Sequence, residues 1–187
     1  MKCERGVIDI SIFPSLNKGK YALKIYLSRS GAKGLGTELI KWSYNCHEGS
    51  HFHLDSLLDI YESMGVFLLP GSSNIIFEAG FTNNESSEFF DEDYDENSDN
   101  TICVELVDVS NNAVLHNTVQ FTFDKNAMRG LGEYLRQNNN TVNKLFVREI
   151  NKTYRENPDI LFRSNEKDLT AVEVIITENK SIDDFYR

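Results

Sequence analysis

From Lys41 to Lys125 the chain carries no lysine or arginine, a gap of 83 residues. Other scarcities narrow the possibilities further. There are three cysteines, Cys3, Cys46 and Cys103, an odd number at wide spacing. That excludes the paired framework of a small secreted domain and reads as free thiols in a reducing compartment. No apolar run approaches the roughly 18 to 20 residues of a membrane helix. The start, Met1 to Gly6, leads into an alternating segment rather than an apolar leader core, so no secretory signal is expected. Together these absences predict a cytoplasmic protein with no membrane partner. A basic surplus is missing too: the formal net charge is −10, and direct nucleic-acid binding, which needs a cationic footprint, is not expected.

What is present suits one domain. The chain has 187 residues, 40% of them hydrophobic, enough to bury a core without covalent staples. Its charge is unevenly placed. Residues 51–124 hold fifteen acids and no Lys or Arg, whereas residues 1–50 carry a net +4 and residues 125–187 a net +1. The densest part runs from Asn83 to Asn100 and contains Glu85, Glu88, Asp91, Glu92, Asp93, Asp95, Glu96 and Asp99. Phe89, Phe90 and Tyr94 lie within it. A polar segment of this length is too long for an ordinary hairpin loop and is either functional or disordered.

Periodicity predicts an α+β domain over 1–187, with an acidic insertion at 82–100. Ile8, Ile10 and Ile12 alternate with polar residues, as do Tyr21, Leu23, Ile25 and Leu27, giving a first hairpin. A glycine-rich basic link, Arg29 to Gly36, follows, and Leu39 to Cys46 fits strand or helix equally. Leu54, Leu57, Leu58, Tyr61 and Met64 have helical spacing and stop at Gly65. Val66–Leu69 with Ile75–Phe81, and Ile102–Val109 with Val114–Phe123, predict two further hairpins. Ala127, Met128, Leu131, Tyr134 and Leu135 form a helical stripe that Asp124 is placed to cap. A second C-terminal helix is expected over 142–153, capped by Thr141, and a last strand over 171–177. The expected architecture is therefore a largely antiparallel sheet built from hairpins, with one central helix and two C-terminal helices packed on it. No internal repeat is read from the chain.

Several groupings bear on chemistry. Cys46, His47, His51 and His53 gather thiol and imidazole within eight residues, the usual transition-metal ligand types, although no standard zinc spacing is present. Asp91, Asp93, Asp95, Asn97 and Asp99 alternate as in a calcium loop, but Glu96 and Ile102 occupy the places that need Gly and Glu. Neither phosphate-loop nor dinucleotide fingerprint occurs, and no nucleophile motif is visible, so no catalytic residue is assigned. Lys33-Gly34-Leu35-Gly36-Thr37-Glu38-Leu39-Ile40 resembles the acetyl-CoA pyrophosphate loop of the GNAT family of N-acetyltransferases, and Phe77 to Phe81 resembles that family's later Gly-Phe element. The resemblance covers residues 33–81 at most. It implies an acetyltransferase in which loop 33–37 presents the N–H groups of Gly34, Leu35 and Gly36 to the pyrophosphate.

The reading favoured by charge is a non-enzymatic binding protein without a cofactor. Acids raise encounter rates with a basic surface, and aromatics can anchor the complex. Glu85, Glu88, Phe89, Phe90, Asp91, Glu92, Asp93, Tyr94, Asp95, Glu96 and Asp99 are the expected partner-binding residues. The partner is a basic protein, most concretely a cationic nuclease met by an immunity or antitoxin-type inhibitor, or a nucleic-acid-handling enzyme blocked by a nucleic-acid mimic. The alternatives are the acetyltransferase, a metal-dependent protein using Cys46, His47, His51 and His53, and a structural or adaptor subunit of a larger assembly.

Overall fold

A computed structural model describes residues 6–14, 20–54, 66–68, 72–80, 100–107, 118–137, 144–155 and 158–177. Among these lie ten strands and two helices in the order β1 (Gly6–Pro14), β2 (Tyr21–Ser28), α1 (Arg29–Asn45), β3 (His51–Leu54), β4 (Val66–Leu68), β5 (Asn74–Ala79), β6 (Thr101–Val107), β7 (Thr118–Phe123), α2 (Lys125–Gln137), β8 (Lys144–Glu149), β9 (Leu161–Arg163) and β10 (Leu169–Thr177). The strands form two five-stranded sheets. Sheet A runs β4-β1-β2-β10-β8 and sheet B runs β3-β5-β7-β6-β9.

The order conceals a two-fold plan. Each half begins with an antiparallel hairpin, β1/β2 or β6/β7, and passes straight into a helix. Each half then sends two strands to the other half's sheet: β3 and β5 go to sheet B, β8 and β10 to sheet A. The pairings correspond one for one. β10 runs parallel to β2 as β5 does to β7, and β4 runs parallel to β1 as β9 does to β6. β8 is antiparallel to β10 as β3 is to β5. The helix caps correspond too. Ser28 Oγ accepts from Gly31 N at 3.0 Å, and Asp124 Oδ1 accepts from Ala127 N at 2.7 Å. Each satisfies an orphan N–H of the first turn.

The sequence carries the same relation: Lys33-Gly34-Leu35-Gly36 in α1 matches Arg129-Gly130-Leu131-Gly132 in α2, each at the same distance from its cap. The absence of an internal repeat is thus corrected. The glycines have a packing reason at one position of each helix. A Cβ on Gly36 would lie 2.6 Å from Gly132 O, and one on Gly132 would lie 2.8 Å from Gly36 O. The two helices cross there with their backbones in contact, and Leu35, Leu39, Leu131 and Leu135 on either side are buried. One apolar cluster unites both helices with both sheets, from Ile8, Leu27 and Val174 to Ile75, Phe121 and Phe123.

The α+β class stands, but the expected arrangement does not. There are two mixed sheets, not one largely antiparallel sheet, and two helices among the described residues. The link at 29–36 and the ambiguous 39–46 are one helix. Its three glycines weaken helix propensity by about 1 kcal/mol each, and the crossing at Gly36 overrides that. The second C-terminal helix is strand β8: Phe146 and Arg148 point inward, Leu145 and Val147 outward, and their register against β10 is regular. Its apolar residues on both faces fit either period. β4 and β5 are not a hairpin, because they belong to different sheets. Leu54 closes β3, and the remainder of the expected central helix, 55–65, lies outside the described residues, as does Thr141. The first and third hairpins, α2 with its Asp124 cap and the final strand are as expected.

Candidate functional site

Sheet B collects four of the five described strands of the base-free stretch, the fifth, β4, lying in sheet A. Four of its strands, β3, β5, β7 and β6, come from residues 51–124, so no Lys or Arg stands on any of them. Alternation sorts their side chains. Ile75, Phe77, Ala79, Val119, Phe121, Phe123, Ile102 and Val104 are buried, while the intervening residues face outward. Register then aligns the outward set in rows. His51 is beside Glu78, Glu78 beside Thr122, and Thr122 beside Cys103. The next row places His53 beside Ile76, Ile76 beside Gln120 and Gln120 beside Glu105. Gln120 Nε2 donates to Glu78 Oε2 across the rows. β9 closes the sheet with Arg163 next to Cys103.

The electrostatics follow from partial burial among acids. The Glu105 carboxyl is raised above the ordinary carboxylate range, first by burial and then by the negative charges of Glu78 and Glu166. Burial pushes the Cys103 thiol up to about 11, with Arg163 opposing and Glu105 and Asp124 adding to the rise. Cys103 is therefore a thiol at neutral pH, not a nucleophilic thiolate. The face can accept hydrogen bonds and attract positive charge.

The Cys/His grouping does not converge. Cys46 is buried at the end of α1, its N–H donating to Trp42 O at 2.8 Å, and burial raises its thiol. His47 is exposed in the following turn, where its N–H donates to Ser50 Oγ at 3.1 Å. Gly49, at a φ of 76°, adopts the left-handed conformation that turns the chain into β3. His51 and His53 then share the outer face of this edge strand, with ring centroids 5.2 Å apart. Among the described residues no group of three or more His, Cys, Asp or Glu side chains is placed to hold a metal ion.

The 33–37 segment is likewise corrected: it is the second and third turns of α1, not a loop. The N–H groups of Gly34, Leu35 and Gly36 point along the helix axis, as in any helix interior, and cannot cradle a pyrophosphate. No family model, curated protein or solved structure matches this chain.

The expected partner-binding residues Glu85, Glu88, Phe89, Phe90, Asp91, Glu92, Asp93, Tyr94, Asp95, Glu96 and Asp99 lie outside the described residues. Asn100, immediately after them, starts the approach to β6, and its carbonyl accepts from Leu161 N at 3.0 Å. The acidic run thus connects β5 to β6, both of them strands of sheet B. Glu78 and Glu105 were not singled out from sequence. Their signal was alternation: each is the acidic member of a strand whose neighbours two places before or after are Ile76 and Cys103.

Proposed function

We propose that this protein is a non-enzymatic binding protein that engages a basic protein through sheet B and the acidic run 83–100. The observation that supports it is spatial. The base-free segment supplies four of the five strands of one sheet, and Glu78 and Glu105 stand on that sheet's outer side. Among the described residues this face carries Glu78, Glu105 and, on β9, Arg163, and the acidic run between β5 and β6 is proposed to add its charge there. A concentrated field steers a cationic partner and raises its association rate. Phe89, Phe90 and Tyr94 supply candidate anchors for the bound state.

In its most concrete form the protein is an immunity or antitoxin-type inhibitor of a cationic nuclease, or a nucleic-acid mimic. The proposed setting is the cytoplasm, in keeping with free thiols at Cys46 and Cys103. No helix among the described residues is long and apolar enough to cross a membrane.

The test is differential capture from extracts of the native cell. The parent chain is compared with one in which Asp91, Glu92, Asp93, Asp95 and Glu96 are replaced by Asn or Gln. The parent is expected to retain a cationic protein at low salt and release it as salt rises. The neutralised chain is expected to retain little of it. Equal retention by both chains would overturn the reading.

A further inference from the structure

Every open sheet has two edges whose unpaired N–H and C=O groups invite further strands, and proteins normally shorten or charge such edges. Here β4, β9 and β3 follow that practice, with three, three and four residues. β8 does not. It has six residues, and its Leu145 and Val147 are 57% and 38% exposed. Tyr44 is the other large hydrophobic residue exposed among the described residues.

The two-fold plan shows that the fold does not require this. β3 is the counterpart of β8, with Phe52 in the place of Phe146. His51 and His53 therefore stand where Leu145 and Val147 stand. The same edge is polar in one half and apolar in the other, so the leucine and valine serve something other than the sheet.

Backbone direction agrees. Glu149 N–H donates to Tyr154 Oη at 3.2 Å, and Ile150 N–H donates to Thr170 O at 3.0 Å. Even-numbered groups of β8 thus face β10, and those of Leu145 and Val147 face away from the sheet. Among the described residues no strand pairs with them.

We propose that β8 pairs antiparallel with β8 of a second copy, about a two-fold axis at Phe146, joining two sheets A into one ten-stranded sheet. A second copy fits because the edge is self-complementary. Antiparallel pairing centred on residue 146 sets Leu145 against the second copy's Val147 on both sides of the axis. It also uses the outward N–H and C=O of Leu145 and the N–H of Val147, adds a second donor to Val147 C=O, which already accepts from Arg148 Nη1 at 3.1 Å, and leaves the Glu149–Tyr154 bond intact. Arg148, which comes opposite Lys144 of the second copy, is turned into its own molecule between Phe146 and Tyr154, 4.0 and 4.7 Å from their ring centres.

Charge favours the same occupant. The adjoining outer face carries Ile175 and Tyr26 in the row of Leu145, and the Lys24–Glu173 pair at 3.4 Å beside Val147. The row reaches an acid, Asp9, only on β1, three strands from β8, so the surface beside the edge carries no net charge to keep two chains of net −10 apart. Each copy contributes one such edge, so the contact closes at a dimer. This dimer is independent of the basic partner proposed above, which uses the other sheet.

The test is sedimentation equilibrium of the full chain from low micromolar to submillimolar concentration, with and without Leu145→Lys combined with Val147→Lys. The parent is expected to be a dimer that tightens as salt rises, since repulsion between acidic chains is screened. Binding of a basic partner weakens with salt, so the two behaviours separate. The double variant is expected to dissociate about a hundredfold more readily, with its thermal unfolding little changed. Independently of any variant, hydrogen exchange at the Leu145 and Val147 amides is expected to slow as parent concentration rises. A parent that is monomeric throughout, a dimer indifferent to both lysines, or exchange at 145 and 147 independent of concentration would each overturn the proposal.

Discussion

The two halves of the chain share element order, helix caps and the Gly36–Gly132 crossing, yet their outer sheet faces differ in chemistry. In sheet A one row reads Leu145, Ile175, Tyr26 and Asp9; its counterpart in sheet B reads His51, Glu78, Thr122 and Cys103. In sheet A the next row contains the Lys24–Glu173 pair; in sheet B the corresponding places hold Gln120 and Ile76. Apart from Arg148, the inner faces are apolar in both halves where they are described, with Leu27 matched by Phe123 and Leu68 by Phe162. Comparison within one molecule thus separates what the architecture demands from what it merely permits. Inward positions and the crossing glycines are demanded. Outward residues are free to diverge, and there the halves have become different surfaces.

The comparison breaks most severely at the helix crossing. Gly36→Leu drives a side chain into Gly132 O and is expected to cost at least about 3 kcal/mol, a large drop in the midpoint of urea unfolding. Gly132→Leu is expected to match it, because the contact is reciprocal. If either half tolerated leucine there, the two helices would not be equivalent.

The next largest effect tests an inward position that is charged in one half and apolar in the other. Arg148 occupies the place of Leu54, judged from their partners Val172 and Ile75. It is 5% exposed, donates to Pro158 O at 3.2 Å and stacks on Phe146 and Tyr154. Leu54→Arg places a charge where the packing was built around an alkyl side chain, at an expected cost of about 4 kcal/mol. Arg148→Leu exchanges a buried charge for the other half's residue and is expected to shift stability by no more than about 1 kcal/mol. Denaturation midpoints of the two variants read this asymmetry directly.

A smaller effect sharpens the contrast between the outer faces. Because burial and neighbouring acids raise the Glu105 carboxyl, the folded chain holds this proton more tightly than the unfolded chain. The associated stability is full below the ordinary carboxylate range and declines as pH rises through the raised value. Glu105→Gln is expected to remove that decline, stabilising the fold at pH 7 by about 0.5 kcal/mol and changing nothing in acid. Thermal unfolding followed against pH would show the two curves converging at low pH.

The mildest change concerns a neighbouring glycine. A Cβ on Gly130 meets nothing within 4 Å, unlike one on Gly132 two residues later. Gly130→Ala is therefore expected to stabilise α2 by about 0.5 to 1 kcal/mol, through lower entropy of the unfolded chain and better helix propensity. A loss of stability in the same urea assay would mean that Gly130, too, has a packing role.

Much of this structure was legible residue by residue. Alternation in Ile8 to Ile12 and Val119 to Phe123 marks half-buried strands, and Asp124 before Ala127 and Met128 marks a helix start. The acidic block was legible as charge in one dimension. Illegible were α1 and β8, for opposite reasons. Gly31, Gly34 and Gly36 argue locally against a helix, and only a second helix carrying Gly132 supplies the reason for them. Leu145, Phe146 and Val147 satisfy either period, and only β10 chooses the strand. The matching Gly-Leu-Gly triplets were in plain view, but so short a match gains meaning only when both stand at the same point after a cap.

The sequence by itself determined the elements whose stability is local or half-buried: the two hairpins, α2 and the last strand. It also determined that the net negative charge is confined to one stretch, because the order of ionisable side chains along the chain does not depend on the fold. Tertiary structure alone decided how that charge is displayed. Sending β3 and β5 into sheet B and β8 and β10 into sheet A gathered four of the five described base-free strands in sheet B, with β4 in sheet A, and left an apolar edge on sheet A. Strand partners are chosen by burial of apolar faces between distant segments, and no local pattern encodes which distant segment that is.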